Sequence, residues 1–154
     1  MKVEANRIVE GAMSIWKKST EISRLNTISE NTIIELLGIE YTKVGDNFIQ
    51  GTMPVDNRTH QPHGLLHGGA SVVLAETLGR VAANLAVPDD KVCVGLEVNA
   101  NHIRSIKKGT VTGTATAVHI GYSTQIWQIE ICNERQQLIC TSRLTVAVID
   151  KPKQ

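Results

Sequence analysis

The chain has 154 residues, the length of one domain, and its 42% hydrophobic and 20% charged composition is typical of a globular protein. A net charge of +1 excludes nucleic-acid or membrane binding through overall charge, so an anionic ligand needs a local cluster of basic residues. No apolar stretch is long enough to span a bilayer, and the N-terminus lacks the apolar core of a signal peptide. The three cysteines, Cys93, Cys132 and Cys140, form no CxxC pair, which predicts buried, reduced thiols in a cytoplasmic protein.

The first segments of the chain favour helices and then a β-hairpin. Apolar residues at near-helical spacing predict a helical extension over residues 1–29, before a domain at residues 30–154. A short helix is predicted over residues 31–37. Two alternating segments, residues 39–43 and Phe48–Val55, flank a polar turn and predict a hairpin.

The middle and the end of the chain differ in their apolar pattern. The polar residues 56–63 predict a loop, and the run 70–85 is apolar nearly all round, which predicts a buried helix. Strands are predicted at four later segments, residues 92–101, 110–118, 122–132 and 138–149. One face of the first of these is predicted to be formed by Val92, Val94, Leu96, Val98 and Ala100.

This order of elements predicts an α+β fold. Strands and helices do not alternate in βαβ units, which argues against a doubly wound parallel sheet. An antiparallel sheet needs cover for its apolar face, and one long apolar helix is available to provide it. We therefore expect an antiparallel sheet wrapped around one central helix.

Glu76 lies in the middle of the apolar helix, where an unpaired carboxylate is costly to bury. Either it faces a solvent gap or pairs with Arg80 at i+4, or it is a catalytic carboxylate at a cleft. Gly68 and Gly69 precede the helix, and free backbone N–H groups there can hold the oxyanion of a reacting carbonyl. Glu76 lies roughly 12 Å further along the axis, so chemistry at both groups predicts a dimer with composite sites.

The loop before the helix contains histidines that allow two interpretations. His67 either supports the oxyanion site or only orients the loop, and Gln61 is a solvated residue or a site residue. His60, His63 and His67 have a loosely ligand-like spacing. Pro62 interrupts the regular helix that would align their rings, and no cysteine or paired carboxylate completes the set. We therefore predict no metal site.

Two further segments have the residue types of a ligand-binding surface. Arg104, Lys107 and Lys108 follow a predicted strand, with His102 adjacent, and they form either a solvated turn or a landing site for phosphates. The loop of residues 119–124 has hydroxyl groups and a glycine that can approach a ligand.

Residues 61–76, QPHGLLHGGASVVLAE, resemble the signature of the hotdog-fold thioesterases of the 4-hydroxybenzoyl-CoA thioesterase type. Within this family the chain resembles the 1,4-dihydroxy-2-naphthoyl-CoA thioesterases of menaquinone biosynthesis and the proofreading thioesterases of the enterobactin pathway. Supporting similarity lies in four later or flanking stretches, residues 52–56, 94–102, 125–131 and 141–145.

The resemblance implies a hydrolase that cleaves an aromatic acyl-CoA, with no cofactor besides the coenzyme A of its substrate. Glu76 would be the nucleophile or general base, and the Gly68 N–H, aided by His67, would polarise the thioester carbonyl. Gln61 would position the acyl group or water. The family also implies a homotetramer of paired hotdog dimers with active sites at the dimer interface, and neither a nucleic-acid nor a membrane partner.

The resemblance also implies residues that contact the substrate. Those expected to contact coenzyme A are Gly95, His102, Arg104, Ser105, His119, Gly121, Tyr122, Ser123 and Thr124. Thr77 and Arg80 stand where relatives often carry small hydroxyl residues of the acyl pocket, so Arg80 either narrows that pocket or pairs with an acidic group. Aryl-carrier-protein or medium-chain acyl-CoA substrates, and a non-catalytic acyl-CoA-binding role, remain alternatives.

Overall fold

The structure, a computed structural model, describes residues 14–153. Its elements in chain order are α1 (Ile22–Thr27), α2 (Ile33–Leu36), β1 (Glu40–Val44), β2 (Phe48–Val55), α3 (Gly68–Leu85), β3 (Lys91–His102), β4 (Gly109–Ile120), β5 (Thr124–Cys132) and β6 (Leu138–Asp150). The strands form one six-stranded antiparallel sheet in the order β1-β2-β4-β5-β6-β3. The predicted hairpin, long helix and later strands are thus confirmed.

The sheet packs against α3, which confirms the predicted α+β architecture. Leu74 and Leu78 of this helix are fully buried in the core. Glycines in two strands let the helix approach the sheet: a Cβ at Gly51 or at Gly113 would lie 2.8 or 2.7 Å from the Leu78 side chain. Close packing of this kind stabilises one position of the helix on the sheet, and it thereby determines where the polar residues of α3 emerge.

The predicted N-terminal helix is wrong for residues 14–21, which are not helical, and α1 covers only Ile22–Thr27. The rest of that prediction, residues 1–13, lies outside the described residues. Tertiary contacts replace the helix, because the indole of Trp16 is buried and stacks on Trp127 with ring centroids 6.1 Å apart. The described part of the extension therefore packs on the domain.

Backbone and indole hydrogen bonds attach this segment to the rest of the fold. The Trp16 Nε1–H donates to the Gly45 carbonyl at 2.7 Å. The N–H groups of Lys17 and Lys18 donate to the Leu85 carbonyl at the end of α3, at 2.7 and 3.1 Å. These hydrogen bonds attach the segment to the end of α3 without a helix of its own.

The predicted apolar face of β3 is wrong in its first half. Val94 and Leu96 are 37% and 61% exposed, whereas Cys93 between Val92 and Val94 is fully buried. The pairing of β3 with β6 shifts register between Gly95 and Glu97. A β-bulge at this point reverses which residues face the core, and an alternation read from the sequence cannot show it.

No helix in residues 14–153 is long and apolar enough to cross a membrane. The three cysteines are free: Cys93 and Cys140 are buried, whereas Cys132 is only half-buried. Burial raises the pKa of each of these thiols, because a thiolate loses hydration inside the fold.

Candidate active site

The N-terminus of α3 leaves one backbone donor available. The His67 side chain caps the helix, since its Nδ1 accepts the Gly69 N–H at 2.8 Å. The His67 carbonyl accepts the N–H groups of Ala70 and Ser71 at 3.0 and 3.3 Å. The Gly68 N–H has no acceptor within residues 14–153. This free donor, at the positive end of an 18-residue helix, is suited to a carbonyl oxygen that gains negative charge.

The ring of His102, at the end of β3, lies against Gly68. A Cβ at Gly68 would be 2.7 Å from the His102 Nε2, so any side chain there would displace the ring. The free N–H and the imidazole therefore meet at one place. His67 caps the helix through its side chain, and its predicted role at the oxyanion site stays a prediction.

The loop before α3 is attached on both sides. The His67 N–H donates to the Thr59 carbonyl and the Leu66 N–H to the Ile106 carbonyl, both at 2.8 Å. Gln61 is half-buried in this loop and accepts the His63 N–H through its side-chain oxygen. The structure thus places Gln61 within its own turn, with its side-chain amide engaged locally.

The histidines of this loop are not gathered into a metal site. The His60 Nε2 lies 2.7 Å from the Lys107 carbonyl, so this nitrogen already has a protein partner. No group of three or more metal-ligating side chains occurs in the part of the chain that the structure describes.

Glu76 is half-buried, two turns along α3. Its carboxylate makes no hydrogen bond or ion pair with any residue between 14 and 153, so the i+4 pairing with Arg80 is absent. A Cβ at Gly95 would lie 3.4 Å from the Glu76 Oε1, which places the carboxylate against the bulged part of β3. An unpaired carboxylate in such a position favours a chemical role over a structural one.

Glu76 lines a cavity of about 670 Å³ between α3 and the N-terminal segment. Thr77 and Arg80 line the same cavity. Much of the remaining wall is apolar and comes from Leu25, Ile28, Ile33, Ile34, Val73, Val81 and Leu85. A pocket of this size and composition suits an apolar acyl group.

Sequence reasoning missed several polar residues of the cavity, Arg24 and Tyr41 among them. Tyr41 is 3% exposed, and burial raises its pKa to about 12, against the opposing effects of a hydrogen bond from Ser29 and the charge of Arg80. The hairpin alternation could have identified Tyr41 as inward-facing. Nothing local indicated that α1 would meet α3 at this wall.

The family model of the thioesterase superfamily matches residues 63–140, from the loop before α3 into β6. The chain belongs to the thioesterase superfamily. It is 62% identical over 136 residues to a Vibrio cholerae protein that is named as an esterase. The match covers 88% of this chain and 91% of that protein. It is also 48% identical to the 1,4-dihydroxy-2-naphthoyl-CoA hydrolase of Escherichia coli, over 88% of this chain and 99% of the relative.

A solved structure supports the same family. The thioesterase from Haemophilus influenzae superposes with a TM-score of 0.88 at 46% identity, covering 91% of this chain and 98% of that one. The similarity shows that this protein is a thioesterase with the hotdog fold.

Within one thioesterase chain, the residues expected to contact coenzyme A form two separate groups. His102, Arg104 and Ser105 lie at and beyond the end of β3, near the Gly68 N–H. The loop of residues 119–124 lies at the other end, where the Lys91 ammonium is 5.6 Å from the Tyr122 ring centroid. Lys91 is the first residue of β3 and His102 is the last. Eleven strand steps separate these residues, which places them roughly 35 Å apart.

That loop is a tight connection between β4 and β5. The Gly121 N–H donates to the Thr124 carbonyl at 2.9 Å, and the Ser123 carbonyl accepts the Val148 N–H at 2.8 Å. A Cβ at Gly121 would lie 2.8 Å from the Thr124 carbonyl oxygen, a backbone atom, so the turn depends on glycine at this position. Gly95 lies between the two groups, beside Glu76.

Proposed function

We propose that this thioesterase hydrolyses an aromatic acyl-CoA to the free acid and CoA in the cytoplasm, with 1,4-dihydroxy-2-naphthoyl-CoA of menaquinone biosynthesis as the leading substrate. The observation that carries the proposal is the unpaired Glu76 carboxylate in the wall of a largely apolar cavity. The name of the Escherichia coli relative supports the choice of acyl group.

The reaction needs a hydrogen-bond donor for the developing oxyanion and a group that attacks the thioester or activates water. The Gly68 N–H supplies the first, and donation to the carbonyl oxygen strengthens as negative charge develops there. Glu76 supplies the second. As nucleophile, its carboxylate bonds to the acyl carbon, the C–S bond breaks with release of CoA, and water then hydrolyses the acyl-enzyme anhydride. As general base, it accepts a proton from the water that attacks the acyl carbon.

Two subunits are needed to assemble this site. Eight residues separate Gly68 from Glu76, which is roughly 12 Å along one helix and too far for both to act on one carbonyl. In the proposed dimer, the Gly68 N–H of one chain faces Glu76 of the partner subunit. Such dimers pair into a homotetramer in this proposal. The separation of the two coenzyme-A groups has the same explanation, because each subunit contributes one group to a given site.

The basic residues beyond β3 have a role in this arrangement. Arg104 is exposed beside His102 and Ser105, so its guanidinium is available for the phosphates of coenzyme A. Gln61 positions the acyl group or the attacking water from the loop before α3. This chemistry uses no metal or further cofactor.

A second candidate keeps the chemistry but has the aryl group on a carrier protein. Exposed apolar side chains beside the cavity favour it, since Ile28, Ile33 and Leu36 are 65%, 55% and 72% exposed. A proofreading thioesterase of Cronobacter turicensis is 49% identical over 88% of this chain and 98% of its own length.

The decisive experiment measures free-thiol release from aryl-CoAs and medium-chain acyl-CoAs by the wild type, Glu76→Ala and Glu130→Gln. Glu130 is an exposed carboxylate of β5 and serves as the control. We expect Glu76→Ala to lower kcat by about 10² to 10⁴, because the attacking or proton-accepting group is lost. Wild-type rates in Glu76→Ala would refute the mechanism, and acyl-CoA binding without any wild-type turnover would indicate the binding-only role.

The two roles of Glu76 are distinguished by solvent-oxygen labelling in a single turnover. Direct attack, followed by attack of water on the Glu76 carbonyl of the anhydride, transfers an oxygen of Glu76 to the first product, whereas general-base catalysis places solvent oxygen there. An oxygen of Glu76 in the first product would therefore show the anhydride, and solvent oxygen there would exclude hydrolysis at the Glu76 carbonyl.

A further inference from the structure

The cavity that Glu76 lines contains a second charged group on the same face of α3. Arg80 lies four residues after Glu76, one helical turn and roughly 6 Å further along the axis. Val81 and Ile34 belong to the cavity wall around it. An acyl group that has its thioester carbon at Glu76 and extends along α3 therefore meets Arg80 at about the length of one aromatic ring.

The Arg80 guanidinium has no anionic partner. No ion pair or side-chain hydrogen bond joins it to any residue between 14 and 153, and Glu76 is unpaired as well. The other anionic group of the cavity wall is Asp89, beyond the end of α3. Two further cations, Lys18 and Arg24, line the cavity, and the Lys18 ammonium already donates to the Lys91 carbonyl.

Tyr41 places a neutral polar group near the same guanidinium. The positive charge of Arg80 acts on the Tyr41 hydroxyl, whose pKa burial nevertheless raises to about 12, so the phenol stays protonated. The Tyr41 hydroxyl is already hydrogen-bonded to Ser29, so Arg80 is the member of this pair that is left to bind an anion.

The geometry of the guanidinium determines which groups can bind beside Arg80. Its planar set of N–H donors matches the two oxygens of a carboxylate. It has no acceptor atom, so a ligand group that can only donate hydrogen bonds does not bind to it. Arg80 is an exposed residue of the cavity wall, so its guanidinium is accessible to a ligand. Charge-assisted pairs of this kind are roughly twice as strong as neutral hydrogen bonds.

We propose that Arg80 is a specificity-determining residue that binds a carboxylate on the acyl group, across the ring from the thioester. The inference rests on the proposed hydrolysis at Glu76 and adds aryl thioesters with a second, anionic carboxyl group to its substrates. Arg80 takes no part in the bond-breaking step. It binds the remote end of the acyl group, which orients the carbonyl for attack.

The test compares 4-carboxybenzoyl-CoA with 4-carbamoylbenzoyl-CoA, which has nearly the same shape but no charge. The ratio of kcat/KM for the charged over the neutral thioester is measured for the wild type, Arg80→Met, Arg80→Lys and Arg135→Met. Arg135 is an exposed arginine in the turn before β6 and is the matched control. We expect Arg80→Met to lower the ratio about tenfold to a hundredfold, Arg80→Lys to restore part of it, and Arg135→Met to leave it unchanged.

The outcomes separate this inference from the proposed function. Turnover of both thioesters with the same ratio in the wild type and Arg80→Met overturns the role of Arg80 and leaves hydrolysis at Glu76 standing. If the wild type hydrolyses neither thioester, the role of Arg80 is tested by equilibrium binding. The affinities of the same two compounds are then measured for the wild type and for Arg80→Met. A charged-over-neutral affinity ratio that falls in Arg80→Met supports the carboxylate site, and an unchanged ratio overturns it.

Discussion

The first turn of α3 and the turn that contains Glu76 belong to one helix, yet they are built in opposite ways. In the first turn, the site consists of backbone: a capped helix end, a glycine without a side chain, and the free Gly68 N–H beside His102. In the Glu76 turn, it consists of side chains, namely an unpaired carboxylate and, one turn on, an unpaired guanidinium.

The difference shows that neither turn is a complete site. A helix end can stabilise an oxyanion but cannot attack a thioester, and a carboxylate can attack but cannot stabilise the charge that results. Straight helix geometry holds the two about 12 Å apart, and the proposed dimer would join them across two chains. The exposed Val94 and Leu96 on the edge strand β3, beside Gly95 and Glu76, are apolar surface that such a dimer would cover.

The largest effect is expected when the two turns are inactivated on different chains. Glu76→Gln and Gly68→Val are each expected to lose most thioester hydrolysis, by about 10² or more. Co-expression with two affinity tags and isolation of doubly tagged protein should restore up to about half of wild-type activity, because each mixed dimer contains one intact composite site. Thiol release per dimer measures the effect, with each variant co-expressed with itself as control. No recovery in mixed dimers would place both groups in one chain.

A second prediction isolates the first turn. In Gly68→Ala the new Cβ lies 2.7 Å from the His102 Nε2, so the ring moves and the approach to the free N–H narrows. We expect kcat to fall about 10² without loss of stability, because Gly68 is not at a positive φ and alanine favours a helix. Steady-state kinetics and urea unfolding measure the two quantities. If Gly68→Ala combined with His102→Ala is no more active than Gly68→Ala alone, displacement of the ring does not explain the loss.

A third prediction concerns the wall of the cavity beside Glu76. Trp16→Ala removes the indole that stacks on Trp127 and its hydrogen bond to Gly45. We expect the free energy of unfolding to fall by about 3 kcal/mol, with a smaller loss in Trp16→Phe. Urea unfolding at one protein concentration measures it, since oligomerisation makes stability concentration-dependent. A loss below about 1 kcal/mol would show that the N-terminal segment is not anchored by this residue.

The smallest expected effect is a pH dependence at the far end of the cavity. Tyr41 has a pKa of about 12 in the folded protein against an ordinary value of 10.0. The folded state therefore keeps this proton at a pH where the unfolded chain loses it. The contribution of Tyr41 to the free energy of unfolding is complete below pH 10 and is lost as pH rises through about 12. Wild type should lose about 2 kcal/mol relative to Tyr41→Phe across this interval, measured by urea unfolding at several pH values. Parallel stability curves for the two proteins would contradict the assignment.

Local pattern was sufficient for most of the fold. The hairpin of β1 and β2, the helix α3 and the four later strands all follow from alternation or helical periodicity, because each buries one regular face. The pattern failed at two places where tertiary contacts override it. Trp16 draws residues 14–21 out of a helix, and the bulge near Gly95 reverses the exposure of Val94 and Leu96.

The candidate site divides in the same way. Glu76 and Gly68 were predictable because a lone carboxylate in an apolar helix and a glycine pair at a helix start are both unusual locally. Tyr41 and Arg24 were not, because the cavity wall joins α1, β1 and α3, which are far apart in the chain.

The sequence by itself determined the architecture and the chemical groups, since periodicity and residue type are local properties of the chain. Only the tertiary structure decided that Glu76 and Arg80 are unpaired, that one N–H at Gly68 stays free, and that the two predicted coenzyme-A groups lie at opposite ends of β3. These facts depend on distances between residues remote in sequence. Packing of the whole chain sets those distances, and no local pattern contains them.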